Sequence, residues 1–262
     1  MIKLFRHLRL SLFAGEKFTA YIKYSIGEII LLVIGILIAL QINNWNEQMK
    51  KQTSLKLVLT NLVENLQQDQ AALKQMQQLE SFRFHAFIYL LKMAGASSYD
   101  AAQDGHTIPP YKNDFIWKSA IPENYDKKFI TEAFLWSHRS NMVAANQAAI
   151  NELKNTGMYS SINDKNLKIA ITNYYNAWNI RIRGIMEDLI NDWQKSLESD
   201  GVITSDVAGL KDPIVLLKDH PERIALIKRL IRESAWWIES SDVLSKNAEK
   251  LIEVVQKYIS TQ

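Results

Sequence analysis

The most apolar stretch of the chain lies near its N-terminus. Residues 29–40 read IILLVIGILIAL and include no polar side chain. With residues 26–28 before it and 41–42 after it, the segment reaches about 17 residues, the lower limit for a helix that crosses a bilayer. The pattern therefore predicts either a transmembrane helix or a helix buried in a protein core.

Aromatic residues on both sides of this stretch favour the transmembrane helix. Tyr24 and Trp45 are 21 residues apart, which is about 32 Å in an α-helix. This is the distance between the two aromatic belts at the surfaces of a bilayer. Ala39-Leu40-Gln41 is a poor cleavage site for a signal peptidase. We therefore expect a transmembrane helix over 26–44 that serves as an uncleaved signal anchor.

The leader over residues 1–25 indicates the orientation of this helix. Apolar and basic residues separate onto two faces of a short helix, with Ile2, Phe5, Leu8 and Leu12 on one and Lys3, Arg6 and Arg9 off it. A basic amphipathic helix suits the anionic cytoplasmic leaflet and is costly to move across the membrane. The sequence predicts a cytoplasmic N-terminus and a domain beyond the span that lies outside the cytoplasm, which is the periplasm in a bacterium with two membranes.

One face of the predicted span carries small residues at regular spacing. Positions four apart form a single stripe, made of Gly27, Leu31, Gly35 and Ala39. Small residues at this spacing allow two helix backbones to approach closely in a membrane. We expect contact with membrane lipid around the span and a homo-oligomer formed through this stripe.

Two polar residues lie within the span. Glu28 is near its inner end and Gln41 near its outer end. An ionisable group at membrane depth is a functional candidate by default. Glu28 is close enough to the interface to reach it, or to pair with Lys23 of a neighbouring subunit, and both interpretations are favoured over a proton relay.

The remainder of the chain, 45–262, shows mainly helical periodicity. The first helix is expected to continue to about Ala94, and six apolar residues approximate a heptad seam that Asp69 interrupts: Leu55, Leu59, Leu62, Leu66, Leu73 and Met76. The segment 96–123 has Gly, Pro and no sustained period, so it is expected to be a long loop. Its aromatic residues either form a partner surface or cover the end of the bundle: Tyr99, Tyr111, Phe115 and Trp117.

Further helices are predicted after this loop. One or two begin near Asp126 and end at Asn155, and another runs from an N-cap at Asn163 to just before Gly201. A last helix reaches the C-terminus, and Asp212 and Asp219 are expected to act as caps close to prolines. The fold class is therefore all-α: one transmembrane helix that continues into a long helix, followed by an up-down bundle of about four long helices.

Composition and motifs exclude several classes of function. The chain contains no cysteine, which excludes thiolate metal sites and a cysteine nucleophile, and its net charge of +3 does not indicate nucleic acid. Its five histidines form no pair at metal-ligand spacing, and motifs for acyl transfer or phosphate binding are absent from the sequence. We expect neither an enzyme nor a bound cofactor.

The span and its flanks resemble a known family. The segment GEIILLVIGILIALQINNWNEQ at 27–48 is similar to the signature of a family from Bacteroidetes-type bacteria, domain of unknown function 6090. A looser second similarity is ELKNTGMYSSINDKNLKIAITNYY at 152–175. The resemblance implies an inner-membrane protein with a distal helical domain, and it implies no activity.

Three functions are compatible with these features. The first is a membrane-anchored interaction or scaffold protein of the cell envelope, with an envelope protein as a partner. The second is a sensor-like module that binds a ligand and signals through a separate membrane partner. The third is an enzyme with a site in the 96–123 loop. Of these, the absence of catalytic motifs favours the first.

Overall fold

The computed structural model describes residues 16–112, 116–140, 143–182 and 184–261. Its described residues contain helices and no strand, so the all-α prediction is confirmed. The chain divides into two compact units, Met1–Lys56 and Leu57–Gln262. The basic leader falls mostly outside the described residues, and so does Phe115.

Helix α1 spans Glu16–Met93. It contains a stretch long and apolar enough to cross a membrane, and no part of its most apolar 18-residue window is buried. Large apolar side chains therefore face outward there, among them Leu31, Leu32 and Leu37, which are 71, 62 and 59 % exposed. Aqueous exposure of such a surface is unfavourable, and a lipid environment removes the cost.

The second unit is built from the C-terminal part of α1 and six further helices among the described residues. They are α2 (Lys127–Ser137), α3 (Ala148–Asn155), α4 (Met158–Ser161), α5 (Lys165–Arg181), α6 (Ile185–Glu198) and α7 (Pro221–Ser260). Three short 3₁₀ turns accompany them at Ala101–Asp104, Asp206–Gly209 and Pro213–Leu216.

The unit has four arms that alternate in direction. α1 is the first, α2 to α3 the second, α5 to α6 the third and α7 the fourth. Hydrogen bonds between each later arm and α1 give the direction of that arm. Along the second and fourth arms, the partners on α1 move toward its N-terminus, as in Asp126–Tyr89 then Asn146–Asp69, and in Ser234–Glu80 then Ser245–Gln70. Along the third arm they move toward its C-terminus, as in Tyr174–Asp69 then Met186–Arg83. This is the predicted up-down order.

The second arm is interrupted between its two helices. α2 begins near Asp126 as predicted, and Asp126 is its N-cap, because its side chain accepts a hydrogen bond from the backbone N–H of Phe129. α2 then ends at Ser137, and the chain is not helical again until Ala148. The side chain of Asn146 accepts a hydrogen bond from the Ala148 N–H, which satisfies one free donor at the start of α3.

The third arm differs from the single helix that the periodicity predicts. It breaks between α5 and α6 at Gly184, a residue type that weakens helices. The Arg181 carbonyl at the end of α5 instead accepts a hydrogen bond from Trp236 Nε1, 2.9 Å away on α7. The predicted N-cap Asn163 is also wrong by one residue, since the Asp164 side chain accepts from the Asn166 and Leu167 N–H groups.

The two predicted aspartate caps before α7 have different outcomes. Asp212 caps the turn Pro213–Leu216 as expected, with its side chain 3.1 Å from the Ile214 N–H. Asp219 does not cap α7. That helix begins at Pro221, and its N-cap position is occupied by His220, whose side chain makes no cap hydrogen bond. Asp219 instead has a positive φ of 62°, a left-handed conformation that aspartate tolerates better than most residues.

The core of the unit follows one continuous seam along α1. Ten positions that alternate in steps of three and four are all buried: Leu59, Leu62, Leu66, Asp69, Leu73, Met76, Glu80, Arg83, Phe87 and Leu90. Asp69 therefore does not interrupt the seam, contrary to the prediction. The apolar members pack as expected for a helix that is one wall of a core, and the three charged members require partners inside it.

Candidate functional site

The predicted oligomerisation stripe lies on the open surface of α1. Leu31 is 71 % exposed, and Gly35 and Ala39 are exposed as well. A Cβ atom added at Gly27 or Gly35 would meet no other atom within 4 Å. No described atom of the chain occupies this surface, so a second helix could approach it.

The polar residues of the span are also at the surface. Glu28 and Gln41 are both exposed on α1. At the outer end of the span, the Asn43 side chain donates a hydrogen bond to Glu47 Oε1 over 3.2 Å, one helical turn away. The polar ends of the apolar segment therefore occupy the positions expected for the interfaces of a bilayer.

A buried ion pair lies in the middle of the bundle. Glu80 and Arg83 are 0 and 1 % exposed, and Arg83 Nη1 donates to both carboxylate oxygens of Glu80 at 2.5 and 2.6 Å. Glu80 also accepts from the Ser234 hydroxyl at 2.8 Å, and Arg83 Nη2 donates to the Arg139 carbonyl. Both charges are therefore compensated, as burial requires, and the pair joins α1 to two other arms.

A second buried network surrounds Asp69. Its Oδ2 accepts from the Tyr174 hydroxyl at 2.7 Å and its Oδ1 from the Asn146 N–H at 2.8 Å. The Tyr175 hydroxyl donates to the Asn146 carbonyl at 3.0 Å. Burial raises the pKa of Asp69, and the two hydrogen bonds offset part of that rise. The network fixes the connection between α2 and α3 against α1 and α5.

Arg223 forms a third buried junction. It is 1 % exposed, and Nη1 contacts both the Leu216 carbonyl at 2.9 Å and the Asp200 carboxylate at 2.7 Å. Its Nε donates to the Ser196 hydroxyl at 3.0 Å. Arg223 thus binds the end of α6 and the turn before α7 to α7 itself, and its hydrogen bonds are made to structural groups.

The segment predicted as a loop over 96–123 packs on the bundle. Apart from the 3₁₀ turn Ala101–Asp104, its described residues are not helical. The ring centroids of Trp117 and Phe129 are 5.0 Å apart, and those of Tyr111 and Phe82 are 6.1 Å apart, both edge to face. Both side chains are half-buried. These contacts favour the interpretation that they cover the bundle over that of a free partner surface.

Tyr99 occupies a different environment in the same segment. Its hydroxyl donates to Asp104 Oδ2 at 2.6 Å, inside the segment itself. Burial, followed by the neighbouring Asp104 carboxylate, raises the pKa of Tyr99. Of the four predicted surface residues, Tyr111 and Trp117 therefore come together on the α1–α2 face, Tyr99 lies apart, and Phe115 is outside the described residues.

Hydrogen bonds to Glu239 attach this segment to α7. His106 Nδ1 lies 2.9 Å from Glu239 Oε2, and the Thr107 N–H donates to Glu239 Oε1 at 2.8 Å. Burial disfavours the ionised carboxylate, but the hydrogen bonds from His106 and Thr107 outweigh it and lower the pKa of Glu239. His85 Nε2 makes a further contact of 3.1 Å with the Pro109 carbonyl.

This attachment leaves a groove between α1 and α7 that is lined by both polar and apolar side chains. One cavity, of about 280 Å³, includes Lys74, Gln77, Lys112 and Pro110 in its lining. A second, of about 400 Å³, shares Lys74 and Gln77 and extends toward Ser245. The two helices are joined across the groove by hydrogen bonds from Gln70 to the Ser245 carbonyl and from Gln77 to the Ile238 carbonyl.

A further cleft surrounds His138, just beyond the end of α2. Its volume is about 360 Å³, and His138 Nδ1 lies 3.1 Å from the Thr204 hydroxyl. Burial, together with the charges of Arg139 and Arg83, lowers the pKa of His138 and favours the neutral ring near pH 7. Among the described residues, the side chain that lies within hydrogen-bond distance of the His138 ring is that of Thr204 and not a carboxylate.

The buried charges of the bundle were missed at the level of the sequence, although a signal was present. Asp69, Glu80 and Arg83 fall in register with the apolar seam, and a charge at a core position implies a buried partner. Glu80 and Arg83 are three residues apart on one helix, so their pairing could be predicted from the sequence. The further partners, such as Ser234 for Glu80 and Tyr174 for Asp69, come from distant parts of the chain and could not be identified from it.

These features define an all-α protein with one candidate membrane span and a helical bundle beyond it. Residues 28–92 match the model of a family of unknown function, DUF6090, which confirms the family resemblance. The comparisons with curated proteins and with solved structures each gave no match.

Proposed function

We propose that this protein is an interaction or scaffold protein of the bacterial cell envelope, anchored in the inner membrane, with its bundle in the periplasm. The observation that carries the proposal is the fully exposed apolar window of α1. An apolar surface of this length in a folded chain requires lipid or another protein around it.

The stripe of small residues supports self-association through the span. Gly27 and Gly35 leave open space on one face of α1, and no described side chain fills it. Packing between backbones at such positions is the main source of helix association in membranes, where the hydrophobic effect does not act between helices. A bundle held by several such spans would present repeated surfaces to an envelope partner.

Crosslinking in native membranes tests this proposal. Gly35→Leu places a bulky side chain in the stripe and should lower the yield of crosslinked oligomer several-fold while insertion remains intact. Val33→Leu is the matched control, because it enlarges a residue on the opposite face of the same helix. Equal oligomer yields for the two variants and the native chain would refute association through the stripe.

One observation favours the alternative, a sensor-like ligand-binding module that signals through a separate membrane partner. The groove between α1 and α7 is concave and combines polar with apolar lining residues, and loop contacts hold one end of it in place. Ligand sites are commonly preformed concavities with a few polar groups. The two functions are compatible, since an anchored interaction protein can also bind a ligand.

A further inference from the structure

The groove between α1 and α7 has an unbalanced charge at the end nearest the loop. Lys74 of α1 and Lys112 of the loop both line this cavity, and its lining has no carboxylate among the described residues. Among those residues neither lysine is in an ion pair. Asp242, the carboxylate of the adjoining cavity, is already 2.6 Å from Lys246 Nζ.

The neutral groups around the two lysines are suited to hydrogen bonding. Gln78 and Ser81 line the same cavity and are half-buried on α1. An amide and a hydroxyl can each donate to an anionic oxygen or accept from a ligand hydroxyl. Pro109, Pro110 and Ile238 supply an apolar wall beside them. The cavity thus combines cationic, neutral polar and apolar surfaces.

The walls of the cavity are fixed by contacts that do not involve a ligand. Gln77 is held by the Ile238 carbonyl at 3.4 Å, and the Pro109 carbonyl by His85 at 3.1 Å. The His106–Glu239 hydrogen bond anchors the chain just before Pro109. A preformed site loses little conformational entropy when a ligand binds. The cavity, of about 280 Å³, has the size of a small-molecule site, and the adjoining cavity could accommodate a longer ligand.

We propose that this groove binds a small polar molecule that carries a carboxylate or phosphate group. Lys74 and Lys112 neutralise the anion, Gln78 and Ser81 hydrogen-bond to it or to adjacent hydroxyls, and the proline wall packs against the rest of the ligand. The site belongs to the bundle and does not depend on association of the span.

Binding to the full chain in a non-ionic detergent tests the proposal. Isothermal titration calorimetry with glucose 6-phosphate, glucuronate and glucose compares a phosphate, a carboxylate and a neutral molecule of similar size. We expect at least one of the two anions to bind and glucose not to bind. Binding should weaken as salt is raised, because both ammonium groups are close to solvent.

Matched lysine variants locate the site. Lys74→Met with Lys112→Met should lower the affinity at least tenfold, whereas Lys154→Met, an exposed lysine of α3 that lines neither cavity, should leave it unchanged. Circular dichroism and the thermal midpoint establish that each variant is folded. Absence of binding by both anions, equal binding of glucose, or full affinity in the double variant would overturn the proposal. None of these results bears on crosslinking of the span.

Discussion

At the scale of single residues, the bundle is unusual for the charged side chains on its central seam. Asp69, Glu80 and Arg83 occupy positions on α1 where the pattern of neighbours is apolar, and each is at most 3 % exposed. Removing a charge from water is costly unless hydrogen bonds and opposite charges compensate it. Glu80 and Arg83 compensate each other within α1, and the additional hydrogen bonds to the three residues come from other arms, so these residues also specify which arms meet.

The first prediction concerns the pH dependence that Asp69 confers. Because its pKa is raised, the folded chain binds this proton more tightly than the unfolded chain. The free energy of unfolding should therefore fall as pH rises from the ordinary aspartate pKa, about 3.9, to the raised value. Asp69→Asn removes this contribution. The difference in free energy of unfolding between the native chain and the variant should therefore change across this pH range and become constant above it.

Denaturant unfolding at a series of pH values measures this difference. Asp69→Leu is the control, because leucine cannot accept from Tyr174 or Asn146 and should cost about 1–3 kcal/mol for each donor left unpaired. Asparagine retains an acceptor and should cost less. If the free energies of unfolding of the native chain and of Asp69→Asn differ by the same amount at every pH, the raised pKa assigned to Asp69 would be contradicted.

The second prediction concerns the Glu80–Arg83 pair. Arg83→Met leaves a buried carboxylate without its cation and should lower the free energy of unfolding by about 3–5 kcal/mol. Replacing both residues with methionine removes both charges and should cost less than the sum of the single changes. Equilibrium unfolding of the three variants measures the coupling, and strictly additive costs would show that the pair does not act as a unit.

At the scale of elements, the segment between α1 and α2 is long but well attached. Its contacts involve α1 through His85 and Phe82, α2 through Phe129, and α7 through Glu239. Ordering a long loop costs entropy that rises only slowly with its length, and these contacts offset it. One segment therefore packs against three different helices and also forms the end wall of the groove.

The third prediction separates packing from recognition in this segment. Tyr111→Ala with Trp117→Ala should lower the free energy of unfolding by about 2–4 kcal/mol, somewhat less than truncation of fully buried aromatic residues. Tyr99→Ala is the comparison, since its hydroxyl donates within the same segment, to Asp104, and not to α1 or α2. Thermal unfolding of the full chain in detergent measures the stability of the double variant and of Tyr99→Ala. An unchanged midpoint for the double variant would favour the partner-surface interpretation.

At the scale of the whole molecule, the chain combines two units with different solvents. The first carries an apolar surface with no burial over its central window, and the second carries a conventional core with its buried charges compensated. A surface of the first kind is stable in lipid and a core of the second kind is stable in water. This difference is the physical basis for assigning an anchor and an aqueous domain.

The fourth prediction concerns the compartment of the aqueous domain. A reporter fused after Gln262 that functions only in the periplasm should be active, because the basic leader is expected to keep the N-terminus in the cytoplasm. A reporter that functions only in the cytoplasm, fused at the same residue, is the control. Activity of that second reporter alone would reverse the proposed orientation.

The sequence by itself determined the fold class, the candidate span and most of the helices. These follow from local physical properties: an uninterrupted apolar run for the span, and apolar steps of three and four for the helices. The cap at Asp126 and the turn at Asp212 were also predictable, because the side chain and the N–H it accepts from are two or three residues apart.

The tertiary structure alone decided features that depend on residues far apart in the chain. The break at Gly184 is tolerated because Trp236 satisfies the Arg181 carbonyl, and the buried Asp69 is tolerated because Tyr174 and Asn146 reach it. The groove also requires α1, α7 and the loop together. Periodicity describes which face of a helix is buried, but it has no information on which distant group compensates a charge or closes a cavity.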